Sequence, residues 1–226
     1  MKKIFNKSYT KHQLVFYILL FLDLLIIALH LLFGKAQSFF NLDHERNLPA
    51  IYQSFKLIIF GLYFLLNSKK ANFSKKIKGF VFPISLFFIA LGFDELLEIH
   101  ENVYRIFEFI PWLRSEIVVD VSLEVGYRSS LWIIYYLPII FLYFFWSGYW
   151  FHYFQTKVKN NAWVIASTSL LLLIIMITEL LGSSGIYSEH IYFQLITIEE
   201  IAEMLFATML IGSTLQLFSS NKKLNN

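Results

Sequence analysis

Six long apolar segments, roughly 13–33, 49–66, 79–101, 129–151, 162–181 and 189–218, dominate the chain. Each is long enough to cross a hydrocarbon core of about 30 Å as a helix rising about 1.5 Å per residue. The joints between them are short and carry breakers or charge, as in "NSKKANFSKKIK", "HYFQTKVKNNA" and "GSSGIYS". Composition agrees: 57% of residues are hydrophobic and only 15% are charged, whereas a soluble domain of 226 residues needs a more polar surface. The expected fold is therefore all-α, a polytopic membrane bundle of six transmembrane helices. No repeat or linker divides it, so residues 1–226 form one domain. There is no cysteine, which excludes a disulfide framework, a thiolate metal site and a cysteine nucleophile. The opening "MKKIFNKSYTKH" has the charge of a signal peptide's first region. The apolar run behind it is about twenty residues long, carries Asp23 and His30, and lacks a small-residue cleavage site, so it reads as a retained first span.

Charge sets the expected orientation. The N-terminal segment holds four lysines, 67–78 five, 152–161 two and the C-terminal tail two, with no acid among them. Basic joints stay on the cytoplasmic side, which places both termini there and the chain in the inner (cytoplasmic) membrane. Trp146, Trp150 and Trp163 then fall at the inner interface and Trp132 near the outer one.

Two longer joints lie on the outer side. In "FFNLDHERNLP", Asn47 suits a helix N-cap, and Pro49 suits a first turn where its missing N–H costs nothing. His44 there reads as a surface residue. In 102–128, "VVDVSLEV" alternates, with Val119, Val121, Leu123 and Val125 on one face. That period fits a short amphipathic strand over the outer face, and eight residues fit an interfacial helix equally well.

The stretch "FDELLEIHE", Phe93 to Glu101, packs five ionisable groups into the end of an apolar run. Counted from the inner boundary at 1.5 Å per residue, Asp94 stands about 24 Å up, Glu179 about 25 Å, Glu203 about 24 Å and His30 about 27 Å. Glu98 and Glu200 form a tier about 4–6 Å higher. Four helices thus carry an acid or a histidine at one level. Residues at i, i+3, i+4 and i+7 share a helix face, so Asp94, Glu98 and Glu101 align, as do Glu189, Glu200 and Glu203, and Asp23 and His30. His100 falls about 120° from Asp94 at 100° per residue.

The bland interpretation is that helix ends carry solvated charge, and Glu101, Glu108 and Glu189 fit it. Against it, an ionised acid within hydrocarbon costs roughly 2.5–3.5 kcal/mol, so such groups face an interior and find partners. Arg105 is placed to pair with Glu101, but Arg105, Arg46 and Arg128 are too few for so many acids. Shared protons, raised pKa values or a bound cation remain. Carboxylates with one or two imidazoles suit Mn, Fe or Zn. The expected ligand set is His30, Asp94, Glu98, His100, Glu179, Glu200 and Glu203. The spacing matches no established metal motif: Tyr104 stands where a zincin helix has its second histidine, and helix six has Glu-x-x-Glu rather than Glu-x-x-His. Asp23 reads equally as a proton-path residue or a buried hydrogen-bonding partner. His190 reads as structural, and His12 and His152 as inner-interface residues without acidic neighbours. No phosphate loop, Ser–His–Asp order or nucleic-acid-binding patch is present.

"FNLDHERNLPAIYQS", "FDELLEIHENV", "TELLG" and "TIEEIAEML", in that order, resemble a group of uncharacterised bacterial multi-pass membrane proteins. These show Leu-Asp-x-Glu-x-Asn-x-Pro, Asp-Glu…His-Glu and Glu-Glu-x-x-Glu-Met segments. The resemblance covers most of the chain and falls on Asp43, Glu45, Asn47, Pro49, Asp94, Glu95, His100, Glu101, Glu179, Glu199, Glu200, Glu203 and Met204. It implies a shared outer site without naming a chemistry.

Three functions fit the sequence. One is a metal-binding membrane protein, with an enzyme acting on a small lipophilic substrate as its sharper form. The second is a proton- or cation-coupled transporter, although no Gly/Pro-broken pair of helices occupies matching halves. The third is a structural or assembly subunit that binds a membrane-protein partner through its outer acids.

Overall fold

A computed structural model describes residues 11–42, 47–71, 73–100, 131–182 and 187–224. They form six helices: α1 Lys11–Phe33, α2 Leu48–Lys70, α3 Lys75–Leu97, α4 Leu131–Lys157, α5 Lys159–Gly182 and α6 Glu189–Leu224, with a short 3₁₀ turn at Ser38–Phe40. Each overlaps one of the six apolar segments. Among the described residues five helical stretches are long and apolar enough to cross a membrane: Lys11–Phe33, Leu48–Lys69, Lys75–Leu97, Asn161–Gly182 and His190–Ser219. The bundle fits an integral membrane protein. The alternating stretch at 119–125 lies outside the described residues, as do Asp43, His44, Glu45, Arg46, Glu101, Arg105 and Arg128.

Successive helices run up and down. We call the end at which α1, α3 and α5 finish the upper end. The helices begin where the sequence supplies caps. The Asn47 side chain accepts from the Ala50 N–H at 2.9 Å, with Pro in the first turn of α2, as its sequence suggests. Ser74 caps α3 by accepting from the Ile77 N–H at 3.3 Å.

Two glycines draw α2 and α3 together. A Cβ on Gly61 would meet Ile89 Cγ1 at 2.7 Å and the Ser85 carbonyl at 2.9 Å. A Cβ on Gly92 would meet Ile58 Cγ1 at 2.6 Å and the Ser54 carbonyl at 2.9 Å. Each helix thus offers one glycine to the other's backbone, as small residues permit in membrane helix pairs. The core is aromatic at its lower end. Phe80 stacks on Trp146 with centroids 4.9 Å apart and meets Trp150 and Phe154 edge-on. Trp150 is buried in that core, whereas Trp163 is exposed. The outside is apolar: Phe145 is 78% exposed and Leu32 73%, a surface that suits lipid and not water.

The sequence suggests that helix three runs unbroken to residue 101. Instead α3 ends at Leu97, and Glu98 takes a left-handed backbone (φ 54°, ψ 40°) while its N–H returns to the Asp94 carbonyl. Asp94 and Glu98 share a face only on a continuous helix, and the turn at Glu98 interrupts it.

Candidate functional site

The upper half of the bundle encloses a cavity of about 350 Å³ between α2, α3, α4, α5 and α6. Its walls are apolar, among them Leu57, Phe87, Leu91, Ile140, Leu172 and Phe206. Its polar groups are Gln53, Asp94, Glu95, His100, Tyr136, Tyr143 and Glu203. Ala90 of α3 and Ile139 of α4 also line it, and both are exposed.

Asp94 organises the polar end. The Tyr136 hydroxyl donates to its Oδ1 at 2.6 Å, and His100 Nδ1 lies 3.1 Å from its Oδ2. A histidine six residues on cannot reach an aspartate along a regular helix; the left-handed turn at Glu98 brings His100 back. Burial works to lower the His100 pKa. The hydrogen bond and charge of Asp94, joined by the fields of Glu203 and Glu95, outweigh it and push the pKa up to about 10.

Beside the cavity, Gln53 is 7% exposed. Its Nε2 donates to the Glu203 carbonyl at 3.4 Å, and its Oε1 is buried without a hydrogen-bond partner among the described residues. One helical turn further along α2, Lys56 is buried in the bundle. Its ammonium donates to Asp23 Oδ1 at 2.9 Å, Thr208 Oγ1 at 3.1 Å and the Met204 carbonyl at 3.3 Å. The Tyr52 hydroxyl also donates to Asp23 Oδ1, at 2.7 Å, and Thr208 donates to Oδ2 at 2.5 Å. All three ammonium protons and both carboxylate oxygens are engaged, as a buried pair requires. This network ties α1, α2 and α6 and makes Asp23 a buried hydrogen-bonding partner.

Of the seven residues expected to converge, Asp94, His100 and Glu203 line the cavity. His30 does not. Its Nδ1 accepts from the Leu42 N–H at 3.1 Å, so Nε2 carries the proton toward Thr197 Oγ1 at 3.0 Å, and its ring stacks on Phe193 at 4.9 Å. Both nitrogens hold α1 and α6 together with the 3₁₀ turn. Glu179 instead meets Glu199, joining α5 to α6. Glu200 is half-buried on α6, and Glu98 forms the turn. Among the described residues no three His, Asp or Glu side chains are disposed to hold a metal ion.

Gln53, Lys56, Tyr52, Tyr136 and Thr208 are absent from the sequence-based set. One cue was available: Lys56 is the only Lys or Arg within the six apolar segments, and a charge placed there calls for a partner. Tyr52, Gln53, Tyr136 and Thr208 carry no comparable mark, since such residues are common in membrane helices.

No curated protein and no solved structure matches the chain. One family model does, over residues 14–216, and its description is a domain of unknown function. A match over most of the chain identifies its family: the protein belongs to the family described as Domain of unknown function (DUF8692).

Proposed function

We propose that the protein is a six-span protein of the cytoplasmic membrane, with both termini cytoplasmic, that binds a small lipophilic molecule near its outer face. The molecule's body lies between α3 and α4, and its head meets the carboxylate–histidine end. The observation that carries this reading is the cavity itself. At about 350 Å³ it falls at the small end of ligand pockets, which run to roughly 300–1,000 Å³. Its walls are apolar, its polar groups gather around Asp94, and two of its lining residues, Ala90 and Ile139, are exposed. The Asp94–His100 pair holds an acid and a base against any bound head group, which is the arrangement an enzyme on a lipophilic substrate would use. Asp94, His30 and Glu179 have the protein partners described above.

The test is binding of a neutral lipophile, decanol, to the protein in nanodiscs of zwitterionic lipid, with empty nanodiscs as blank. Ala90→Trp fills the cavity from an exposed position and is expected to abolish saturable binding. Equal binding by this variant and the wild type would remove the cavity from the reading.

Transport is the second reading, and the buried Lys56–Asp23 pair favours it, since intramembrane ion pairs mark proton and ion pathways. Proton or cation flux into liposomes that is lost in Lys56→Met would support it over simple binding.

A further inference from the structure

We propose that the cavity selects its occupant by length: it takes one unbranched chain of up to about ten carbons, and the rings of Phe87, Tyr143 and Phe206 are the floor that sets the limit. The proposal rests on the cavity reading above and adds the shape of the bound body. Phe87, Leu91 and Asp94 line the cavity from α3, and Tyr136, Ile140 and Tyr143 line it from α4. Both sets have the i, i+4, i+7 spacing of a single helix face, so the cavity is drawn out along the helices. The two stripes meet at either end. Above, the Tyr136 hydroxyl donates to Asp94 at 2.6 Å. Below, the rings of Phe87 and Tyr143 stack with centroids 6.1 Å apart. On α3 the lining runs from Phe87 to Glu95, which is about 12 Å at the helical rise.

Phe206 of α6 closes the lower end against both rings, 5.6 Å from Tyr143 and 6.4 Å from Phe87. Tyr143 and Phe206 are buried, and the Tyr143 hydroxyl lies 2.8 Å from Thr168 Oγ1 of α5, which fixes its ring. The packing goes on beneath them: Trp146 is 5.8 Å from Tyr143 and stacks on Phe80. The floor is thus built from three helices and backed by the aromatic core. An extended chain advances about 1.25 Å per carbon, from bonds of about 1.5 Å and angles of about 111°, so about 12 Å admits about ten carbons. One leaflet is half of a hydrocarbon core of about 30 Å, so a lipid chain that spans it runs to about 15 Å and overshoots the floor. The floor therefore shuts out the chains of the surrounding lipid and admits a shorter molecule. Lipid and cavity walls are both hydrocarbon, so added carbons are close to neutral until the tail reaches the rings. Beyond that point they overpack a filled core.

A series of straight-chain alcohols tests the limit: octanol, decanol, dodecanol and tetradecanol. Each is measured by equilibrium binding to the full chain in nanodiscs of long-chain zwitterionic lipid, with empty nanodiscs subtracted and the affinity referred to the alcohol's own partition into the lipid. That affinity is expected to be level from octanol to decanol and to fall about tenfold by tetradecanol. Phe206→Ala removes a ring from the floor and is expected to raise dodecanol to the level of decanol. Ala207→Leu adds bulk to the lining beside Phe206 and is expected to move the fall to shorter chains. The wild-type series decides the length limit even if neither variant folds. Level affinity out to tetradecanol would overturn the floor and leave the cavity reading standing. A fall at the same length in a folded Phe206→Ala protein would overturn the role of that ring. Displacement of decanol by didecanoyl-phosphatidylcholine added to the nanodisc would overturn the single-chain assignment in favour of a phospholipid. Saturable binding of none of the four alcohols would overturn the cavity reading itself.

Discussion

Lys56 and Asp23 meet at 2.9 Å, with side chains 1% and 0% exposed, inside a bundle whose outer surface is apolar. Thr208, Tyr52 and the Met204 carbonyl complete the hydrogen bonding around them. The pair joins α1 to α2 through full charges, and α6 closes it. A buried pair is not in itself strongly stabilising, because desolvation offsets much of the attraction. Removing one partner is costly, because the other is left charged and alone.

Lys56→Met and Asp23→Leu are therefore each expected to destabilise the bundle by about 3–5 kcal/mol. The double variant Asp23→Leu/Lys56→Met is expected to recover much of the loss, since no uncompensated charge remains. Thermal melting in nanodiscs measures all three. Additive losses in the double variant would show that the two charges do not depend on one another.

His100 gives the upper end a pH dependence of defined sign. Its pKa is raised in the folded protein to about 10 from the ordinary 6.5, so the protonated form is favoured by folding. Its contribution to stability is complete below pH 6.5 and declines as pH rises from there through about 10. Asp94, Glu203 and Glu95 are the carboxyls that hold the proton on it. Melting temperature is expected to fall over that interval in the wild type, with a flatter profile in His100→Gln. Identical profiles would mean that the imidazole does not pair with Asp94.

The α2–α3 contact gives a steric prediction. Gly61→Ala and Gly92→Ala each place a Cβ below 3 Å from a facing backbone carbonyl, so the helices must separate or tilt. A loss of about 1–3 kcal/mol is expected for each, the usual cost of overpacking. Gly79→Ala is the control, because no atom lies within 4 Å of its new Cβ. Indistinguishable melting of all three variants would contradict the close approach.

Topology is tested separately. Cysteines introduced at Ser74 and Ser184 are expected to label with an impermeant reagent from opposite sides of the membrane, Ser184 from outside. Labelling of both from outside would refute the six-span arrangement and the cytoplasmic termini.

The helices were legible because a membrane makes strong demands on sequence. Backbone polar groups in hydrocarbon must be paired within their own segment, so long apolar runs such as 13–33 and 162–181 have little choice but to be helices. Asn47, with Pro49 behind it, was readable for the same local reason: a cap acts within one turn of the residue that makes it. Asp23 and His30 were correctly placed on one face of α1, because phase within a regular helix follows from chemistry that every residue shares.

What phase could not supply was the break at Glu98. A left-handed residue other than glycine carries a local cost and no sequence mark, and surrounding contacts decide whether it forms. That turn decided that His100, out of phase by the helical count, is the residue that meets Asp94. Depth likewise aligned His30 with Asp94, Glu179 and Glu203, but depth carries no information about which neighbour a side chain faces. The order and rotation of the helices sent His30 to Thr197 and the Leu42 amide, and Glu179 to Glu199. They also sent Lys56, the one basic residue within the apolar runs, to Asp23 on α1. Local sequence determined which segments are helices and which groups needed partners; packing between helices, which depends on every side chain at the contact together, decided who those partners are.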